Sequence, residues 1–177
     1  MKQLNFLYSN KDQKHEEVHD ETKKLKLFVD GASRGNPGKA SVGMICLDAK
    51  TPVFQEDFYL GIATNNVAEY TALLTGLCLI NKSFKNQKFD LEIFSDSQLM
   101  VCQILGKYKI KNETLLALKN LIDNQLKSLS WEIKHIERSK NKSADAMANQ
   151  AFISKKSLPV MVKELLRGID LKPKQNL

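Results

Sequence analysis

The order of hydrophobic patterns along the chain constrains the fold more than any other feature of the sequence. Three β-type runs follow one another with short turns between them, at residues 25–29, 41–47 and 53–60. Short turns join antiparallel neighbours, so these runs predict a three-stranded meander. Helical spacing then takes over, and later strand-like runs alternate with helices. This order predicts an α/β domain with a mixed sheet.

The rest of the chain supplies the elements that flank and extend the meander. We predict helices over residues 66–81, 97–105, 113–126 and 142–152, and strands over residues 91–94 and 131–136. Strands that are joined through helices run parallel. The complete prediction is a five-stranded sheet, with three antiparallel strands followed by two parallel ones, flanked by helices.

The length of 177 residues suits one domain. Composition predicts a flexible polar extension over residues 1–24, a folded domain over residues 25–153 and a basic tail over residues 154–177. Within that tail, residues 160–167 have the composition of a short amphipathic helix. The sequence does not decide whether this segment packs on the domain or helps to hold a ligand.

Composition also narrows the setting and the partners. The formal net charge of +7 suits a polyanionic partner, although many unrelated proteins are basic. No apolar run of about 18 residues is present, so we expect no membrane span. The three cysteines are widely spaced, and the N-terminus lacks the pattern of a signal peptide, so we expect buried free thiols in the cytoplasm.

Four acidic residues stand beside predicted element ends. Asp30 and Asp96 each follow an apolar strand, and if those strands are parallel neighbours, both side chains face one crevice. Glu69 lies near the start of one helix and Asp145 near the start of another. Clustered carboxylates raise one another's pKa and cannot all stay ionised without cations. Oxygen ligands of this kind favour Mg²⁺ or Mn²⁺.

Taken singly, each acidic residue also has an ordinary structural explanation. Asp30 precedes a glycine and could form a turn. Glu69 has the capping-box spacing from Asn66, and Asp96 could cap the next helix. Asp145 could be a solvated residue in a first helical turn. The residues alone leave both explanations open.

Four motifs together resemble type 1 ribonuclease H, the enzymes that cut the RNA strand of an RNA–DNA hybrid. The motifs are DGASRGNPG at residues 30–38, TNNVAEY at 64–70, SDSQ at 95–98 and NKSADAMA at 141–148. The likeness covers about residues 25–152, and the first two motifs are specific in combination. The element order of that family agrees with the order predicted above.

The resemblance implies a reaction and a set of metal ligands. It implies an endonuclease that leaves a 5′-phosphate and a 3′-hydroxyl, with Asp30, Glu69, Asp96 and Asp145 as catalytic carboxylates that bind two Mg²⁺ or Mn²⁺ ions. It implies an RNA–DNA hybrid duplex as partner, no organic cofactor, and a monomer.

Further residues are assigned by the same resemblance. The residues that it places against substrate are Gly31, Ser33, Arg34, Asn36, Thr64, Asn65, Asn66 and Gln98. Either His135 or Arg138 is expected to assist turnover, the alternative being a strand histidine and a surface arginine. The basic handle of some relatives is absent or reduced to the three lysines of residues 106–112.

Two rivals remain from the sequence. One is another nuclease of the same fold, an exonuclease or a junction resolvase. The asparagines before Glu69 and the glycine-rich turn after Asp30 argue against it. The other is a hybrid-binding module without catalysis, and the intact set of carboxylates argues against that.

Overall fold

A five-stranded mixed sheet organises the protein, as the computed structural model describes it over residues 22–171. The strands lie in the order β3-β2-β1-β4-β5. The strands are β1 Lys23–Gly35, β2 Gly38–Asp48, β3 Thr51–Ala63, β4 Phe89–Ser95 and β5 Ser130–His135; the helices are α1 Asn65–Ser83, α2 Gln98–Ile104, α3 Glu113–Leu126, α4 Lys142–Ser154 and α5 Val160–Leu165. The predicted order of elements is confirmed.

Strand β1 is the central strand of the sheet, and its two neighbours run in opposite directions. It runs antiparallel to β2 and parallel to β4. Strands β2 and β3 complete the antiparallel meander, and β5 runs parallel to β4 at the other edge. The predicted mixed sheet, with three antiparallel strands and then two parallel ones, is therefore confirmed.

Strand β1 is longer than its apolar run suggested. It begins at Lys23, inside the predicted extension, and residues 1–21 of that extension lie outside the described residues. At the other end it continues to Gly35, so the glycine-rich turn predicted after Asp30 is narrower than its composition indicated. Ladder pairing with β2, down to Gly35 opposite Gly38, keeps these polar residues extended.

Helices cover the two faces of the sheet, and two glycines allow their close approach. A Cβ on Gly31 would lie 2.2 Å from the backbone nitrogen of Glu69 in α1. A Cβ on Gly43 would lie 2.1 Å from the backbone nitrogen of Ala148 in α4. Because successive side chains point to opposite faces, α1 and α4 lie on opposite sides of the sheet. Asp30, paired with Gly43, faces the side of α4.

The segment that follows α4 packs back onto the domain. Leu158, Val162 and Leu166 are buried and belong to the hydrophobic core. The backbone nitrogen of Tyr59 in β3 donates to the carbonyl of Lys156 at 2.7 Å. The short helix suggested within residues 160–167 is present as α5. Across residues 22–171, no helix has both the length and the apolar composition that crossing a bilayer requires.

Candidate active site

Three carboxylates from three different elements converge beside the sheet. Oxygen atoms of Asp30, Glu69 and Asp96 all lie within 4.8 Å of one another. Asp30 lies just beyond the part of β1 that pairs with β4, and Asp96 follows the last residue of β4. Because these two strands pair in parallel, both aspartates lie at the carboxyl-terminal end of the paired segment, which is the arrangement that the sequence predicted.

Glu69 reaches this edge because α1 lies directly against β1. The backbone nitrogen of Gly31 donates to Glu69 Oε2 at 3.2 Å, and this bond is buried. Any side chain at residue 31 would collide with α1, so the glycine after Asp30 sets the separation of the first two motifs. The bond holds Glu69 beside Asp30.

The ordinary structural explanations fail for three of the four acidic residues. Helix α1 is capped by the side chain of Thr64 and α2 by that of Ser97, so neither Glu69 nor Asp96 serves as a cap. Asp30 is not in a turn but lies inside β1, where it is 6% exposed. Burial of unpaired acids is unfavourable without a compensating ligand.

Asp145 lies beside this group rather than within it. It occupies the first turn of α4, as predicted, and its Oδ1 accepts from Arg138 Nη2 at 2.6 Å. Its Oδ2 accepts from Asn149 Nδ2 at 3.0 Å. The Arg138 side chain is 78% exposed, so this ion pair lies at the surface. His135, the other candidate helper, is the last residue of β5 and is exposed.

Burial and mutual repulsion disturb the ionisation of the cluster. Burial, and after it the charges of Asp96 and Asp145, raise the pKa of Asp30 to about 7, while Arg138 and the backbone of Gly31 act in the opposite direction. Burial also raises the pKa of Glu69 well above its usual range, with Asp30 and then Asp96 adding to it. A divalent cation would offset the repulsion between these carboxylates and the cost of burying their charges. Carboxylate oxygens are the ligands that Mg²⁺ and Mn²⁺ prefer. The donor set therefore fits such an ion.

Asn141 belongs to the site, although the sequence marked it only as part of the fourth motif. Its side chain is buried, and its Nδ2 donates to the carbonyl of Val29 at 2.9 Å and to Asp96 Oδ1 at 2.8 Å. The position of Asn141 four residues before Asp145 was the only available signal. That spacing does not reveal a contact with a strand more than a hundred residues away.

Two of the predicted substrate-binding segments meet beside Glu69. Asn36 Oδ1, in the turn between β1 and β2, accepts from the backbone nitrogen of Asn65 at 3.1 Å. The hydroxyl of Ser33 donates to the carbonyl of Ala63 at 2.9 Å. The Asn65 side chain lies close enough to Glu69 to oppose the rise of the Glu69 pKa. The first and second motifs therefore form one continuous rim around the carboxylates.

The remaining candidates lie at the surface. The guanidinium of Arg34 lies over the ring of Phe152 in α4, 4.1 Å from its centroid. This stacking restrains an exposed arginine and joins the end of β1 to α4. Asn66 and Gln98 are exposed in the first turns of α1 and α2.

Comparison with known proteins decides the family. The fold matches the crystal structure of RNase H1 from the halophilic archaeon Halobacterium salinarum, with a TM-score of 0.69 and 34% identity over 74% of this chain and 98% of that chain. A family model described as "Reverse transcriptase-like" matches residues 28–151, which include all four carboxylates. The chain belongs to the ribonuclease H-like family. A second similar structure is LC11-RNase H1 in complex with an RNA/DNA hybrid, with a TM-score of 0.69 and 34% identity over 73% of this chain and 97% of that chain.

Two similar curated relatives of this ribonuclease H-like chain are longer than the region that they share with it. Ribonuclease HI of H. salinarum is 35% identical over 132 residues, which are 73% of this chain and 64% of that protein. A protein of Mycobacterium tuberculosis described as bifunctional is 35% identical over 134 residues, which are 73% of this chain and 35% of that protein. The similarity therefore covers only part of the length of these two proteins.

Proposed function

We propose that this ribonuclease H-like protein is an endonuclease that hydrolyses the RNA strand of RNA–DNA hybrids and leaves a 5′-phosphate and a 3′-hydroxyl. The observation that carries the proposal is the convergence of Asp30, Glu69 and Asp96, within 4.8 Å, at the edge of this fold. The similarity to LC11-RNase H1, which was solved with an RNA/DNA hybrid, supports the choice of substrate.

The four carboxylates would hold two divalent cations, Mg²⁺ or Mn²⁺. When bound, such cations activate the attacking water and stabilise charge on the leaving oxygen. Asp30, Glu69 and Asp96 supply the clustered oxygens, and Asp145, beside them in the first turn of α4, would be the fourth ligand. Of the two residues proposed to assist turnover, Arg138 has the stronger support, because its exposed guanidinium contacts Asp145. His135 lies at the end of β5 without such a contact.

The rim formed by the first two motifs is suited to reading the RNA strand. Asn36 and Asn65 connect the turn after β1 to the start of α1, beside Glu69. Amide and backbone groups there can pair with a 2′-hydroxyl, the group that distinguishes RNA from DNA. The proposed substrate-contacting residues are Gly31, Ser33, Arg34, Asn36, Thr64, Asn65, Asn66 and Gln98.

We also propose that the protein acts as a monomer in the cytoplasm. The setting is supported by free cysteines: Cys46 and Cys78 are buried thiols, and burial raises the pKa of both. Buried neutral thiols suit a reducing compartment, where no disulfide is needed.

The test is an assay of strand cleavage. A duplex with a labelled RNA strand is incubated with the full chain in Mg²⁺, in Mn²⁺ or in EDTA, beside RNA–RNA, DNA–DNA and single-stranded controls. We expect internal cuts in the RNA strand of the hybrid only, and no cuts in EDTA. Stepwise release from one end would instead indicate the exonuclease alternative. Cleavage of single strands only, or cleavage that EDTA does not affect, would overturn the proposal.

A matched pair of variants assigns the activity to the site. Asp30→Asn removes one charge from the cluster and should abolish cleavage while the protein still folds and binds hybrid. Asp123→Asn makes the same chemical change at an exposed carboxylate that pairs with Lys119, and should cleave like the wild type. Equal cleavage by both variants would contradict the assignment of Asp30.

A further inference from the structure

Asn141 connects the three elements that carry the aspartates. Its side chain is 1% exposed. Nδ2 contacts the carbonyl of Val29, the residue before Asp30, and it contacts Asp96 Oδ1 directly. Its backbone carbonyl accepts from the nitrogen of Asp145 at 3.1 Å, the hydrogen bond that begins α4. One residue thus contacts or adjoins every aspartate of the proposed site.

The orientation of the Asn141 amide is fixed by its partners. A carbonyl oxygen and a carboxylate oxygen can only accept, so the nitrogen of the amide must face both. Both hydrogens of that nitrogen are thereby used. The other end, Oδ1, is buried and has no hydrogen-bond partner among residues 22–171. A buried acceptor without a partner lowers stability.

Asn141 also gives up the usual task of an asparagine at its position. It is the N-cap residue of α4, where an asparagine side chain normally accepts from the first-turn backbone. Here its side chain forms no capping bond. Stability alone would favour a capping orientation with both ends of the amide paired. Local departures of this kind are expected where a residue serves a site.

We propose that Asn141 is a positioning residue that holds the Asp96 carboxylate, and through the start of α4 also Asp145, in place for the divalent cation. The inference rests on the proposed function in so far as these carboxylates bind metal. A neutral donor suits this task, because it orients one oxygen of Asp96 without adding a positive charge that would repel the ion. The contact is to Oδ1, so Oδ2 of Asp96 stays outside it.

The test compares two buried hydrogen bonds that attach α4 to the sheet. Asn141→Ala removes the bonds to Val29 and Asp96. Ser41→Ala is the matched control, since the Ser41 hydroxyl donates to the carbonyl of Ala148 in α4 at 2.7 Å. Mn²⁺ binding to the full chain is measured by calorimetry. We expect Asn141→Ala to weaken binding about 10- to 100-fold. Ser41→Ala should change it less than about 2-fold, because its partner is not a carboxylate.

A double-variant comparison shows whether the effect passes through Asp96. Asn141→Ala should cause a smaller loss of Mn²⁺ affinity in an Asp96→Asn background than in the wild type. In cleavage assays it should raise the Mn²⁺ concentration for half-maximal rate while the KM for hybrid at saturating Mn²⁺ stays unchanged. If the alanine variant does not fold, Asn141→Ser, which keeps one donor, replaces it.

The outcomes separate this inference from the proposed function. If Asp96→Asn weakens Mn²⁺ binding but Asn141→Ala binds like the wild type, the positioning role is wrong and the proposed function stands. If Asn141→Ala and Ser41→Ala weaken binding equally, α4 packing explains the loss and the positioning role is again wrong. If Asp96→Asn leaves binding unchanged, the proposed metal site fails, and the positioning role fails with it.

Discussion

At the scale of single residues, the site is built around a carboxylate that folding alone would not bury. Asp30 is almost fully enclosed, and burial together with neighbouring charge raises its pKa to about 7. At neutral pH the protein therefore holds this group near its titration midpoint when no cation compensates it. The free energy of unfolding should therefore depend on pH in this range.

We predict that stability without metal falls as the pH rises from about 4 to 7. In this window folded Asp30 keeps a proton that the unfolded chain, with its pKa near 3.8, has released. The folded state thus binds more protons, and the free energy of unfolding falls with pH. A shift of about three units corresponds to a maximum of about 4 kcal/mol at pH 8, so we expect about 2–4 kcal/mol.

The measurement is urea unfolding in EDTA from pH 4 to 8, for the wild type and Asp30→Asn. The asparagine variant cannot ionise, so it should match the wild type near pH 4 and exceed it by about 2–4 kcal/mol at pH 8. Mn²⁺ in place of EDTA should stabilise the wild type most at high pH, where the carboxylate is ionised and can bind it. Stability curves that stay parallel over this range would show that burial of Asp30 has no such effect.

At the scale of elements, the position of α4 decides whether Asp145 and Asn141 reach the site. Gly43 in β2 allows this helix to touch the sheet, since a Cβ there would lie 2.1 Å from the Ala148 nitrogen and 2.4 Å from the Ala144 carbonyl. These atoms belong to the backbone of α4, so they cannot rotate out of the way as the end of a flexible side chain can. Any side chain at residue 43 must therefore displace the helix.

We predict that Gly43→Ala lowers the free energy of unfolding by at least about 3 kcal/mol, the upper end for overpacking. It should also weaken Mn²⁺ binding, because α4 moves away with Asp145. Gly61→Ala is the control: a Cβ there meets nothing within 4 Å, but φ is +92°. Backbone strain should cost it about 1–2 kcal/mol with Mn²⁺ affinity unchanged. Unchanged stability in Gly43→Ala would contradict the close packing of α4.

The loop between α2 and α3 is the second element-scale candidate for substrate contact. Lys107, Lys109 and Lys111 are exposed there. Two hydrogen bonds hold the backbone of this loop. The backbone nitrogen of Lys107 donates to the Cys102 carbonyl at 2.8 Å, and Gln103 Nε2 donates to the Lys109 carbonyl at 3.4 Å. Lysine side chains on such a loop can contact phosphates without recognising the base sequence.

We predict that changing Lys107, Lys109 and Lys111 together to glutamine raises the KM for hybrid about 3- to 10-fold and leaves kcat unchanged. The slope of log KM against log salt should become shallower by about 1–3, according to how many phosphates they contact. The control changes three other exposed lysines in the same way: Lys82 in the last turn of α1, and Lys85 and Lys88 in the loop that follows it. If the control shifts KM equally, general charge and not this loop holds the hybrid.

At the scale of the whole molecule, the sequence predicted what periodicity and local motifs encode. The sheet and helices followed from apolar spacing, because each element buries one regular face. The meeting of Asp30 and Asp96 followed from parallel strands that share an edge. Asn141 could not be found in this way, because its partners lie on β1 and beyond β4, and an asparagine before a helix normally predicts a cap. Its role depends on contacts that exist only after the elements assemble.

The residues after α4 show the same limit. Composition assigned residues 154–177 to a basic tail, yet Leu158, Val162 and Leu166 are buried in the core. The amphipathic pattern of residues 160–167 indicated a short helix, but it does not reveal which surface the apolar residues of that helix contact. We therefore propose that the folded domain extends at least to residue 166.

This extension predicts that a chain ending at Lys156 loses about 3–6 kcal/mol of unfolding free energy. Burial of each of the three large apolar side chains contributes about 1.5–3 kcal/mol, and the sum is reduced by about a third because the unfolded chain already buries part of its apolar surface. Two point variants in α5 separate packing from chain length. Val162→Ala removes fully buried methyl groups and should cost about 1.5–3 kcal/mol, whereas Val160 is mostly exposed and its replacement by alanine should be neutral. Urea unfolding measures all three. A truncated chain as stable as the full one would place the domain boundary near residue 153, because it would show that the segment after α4 covers no essential part of the core.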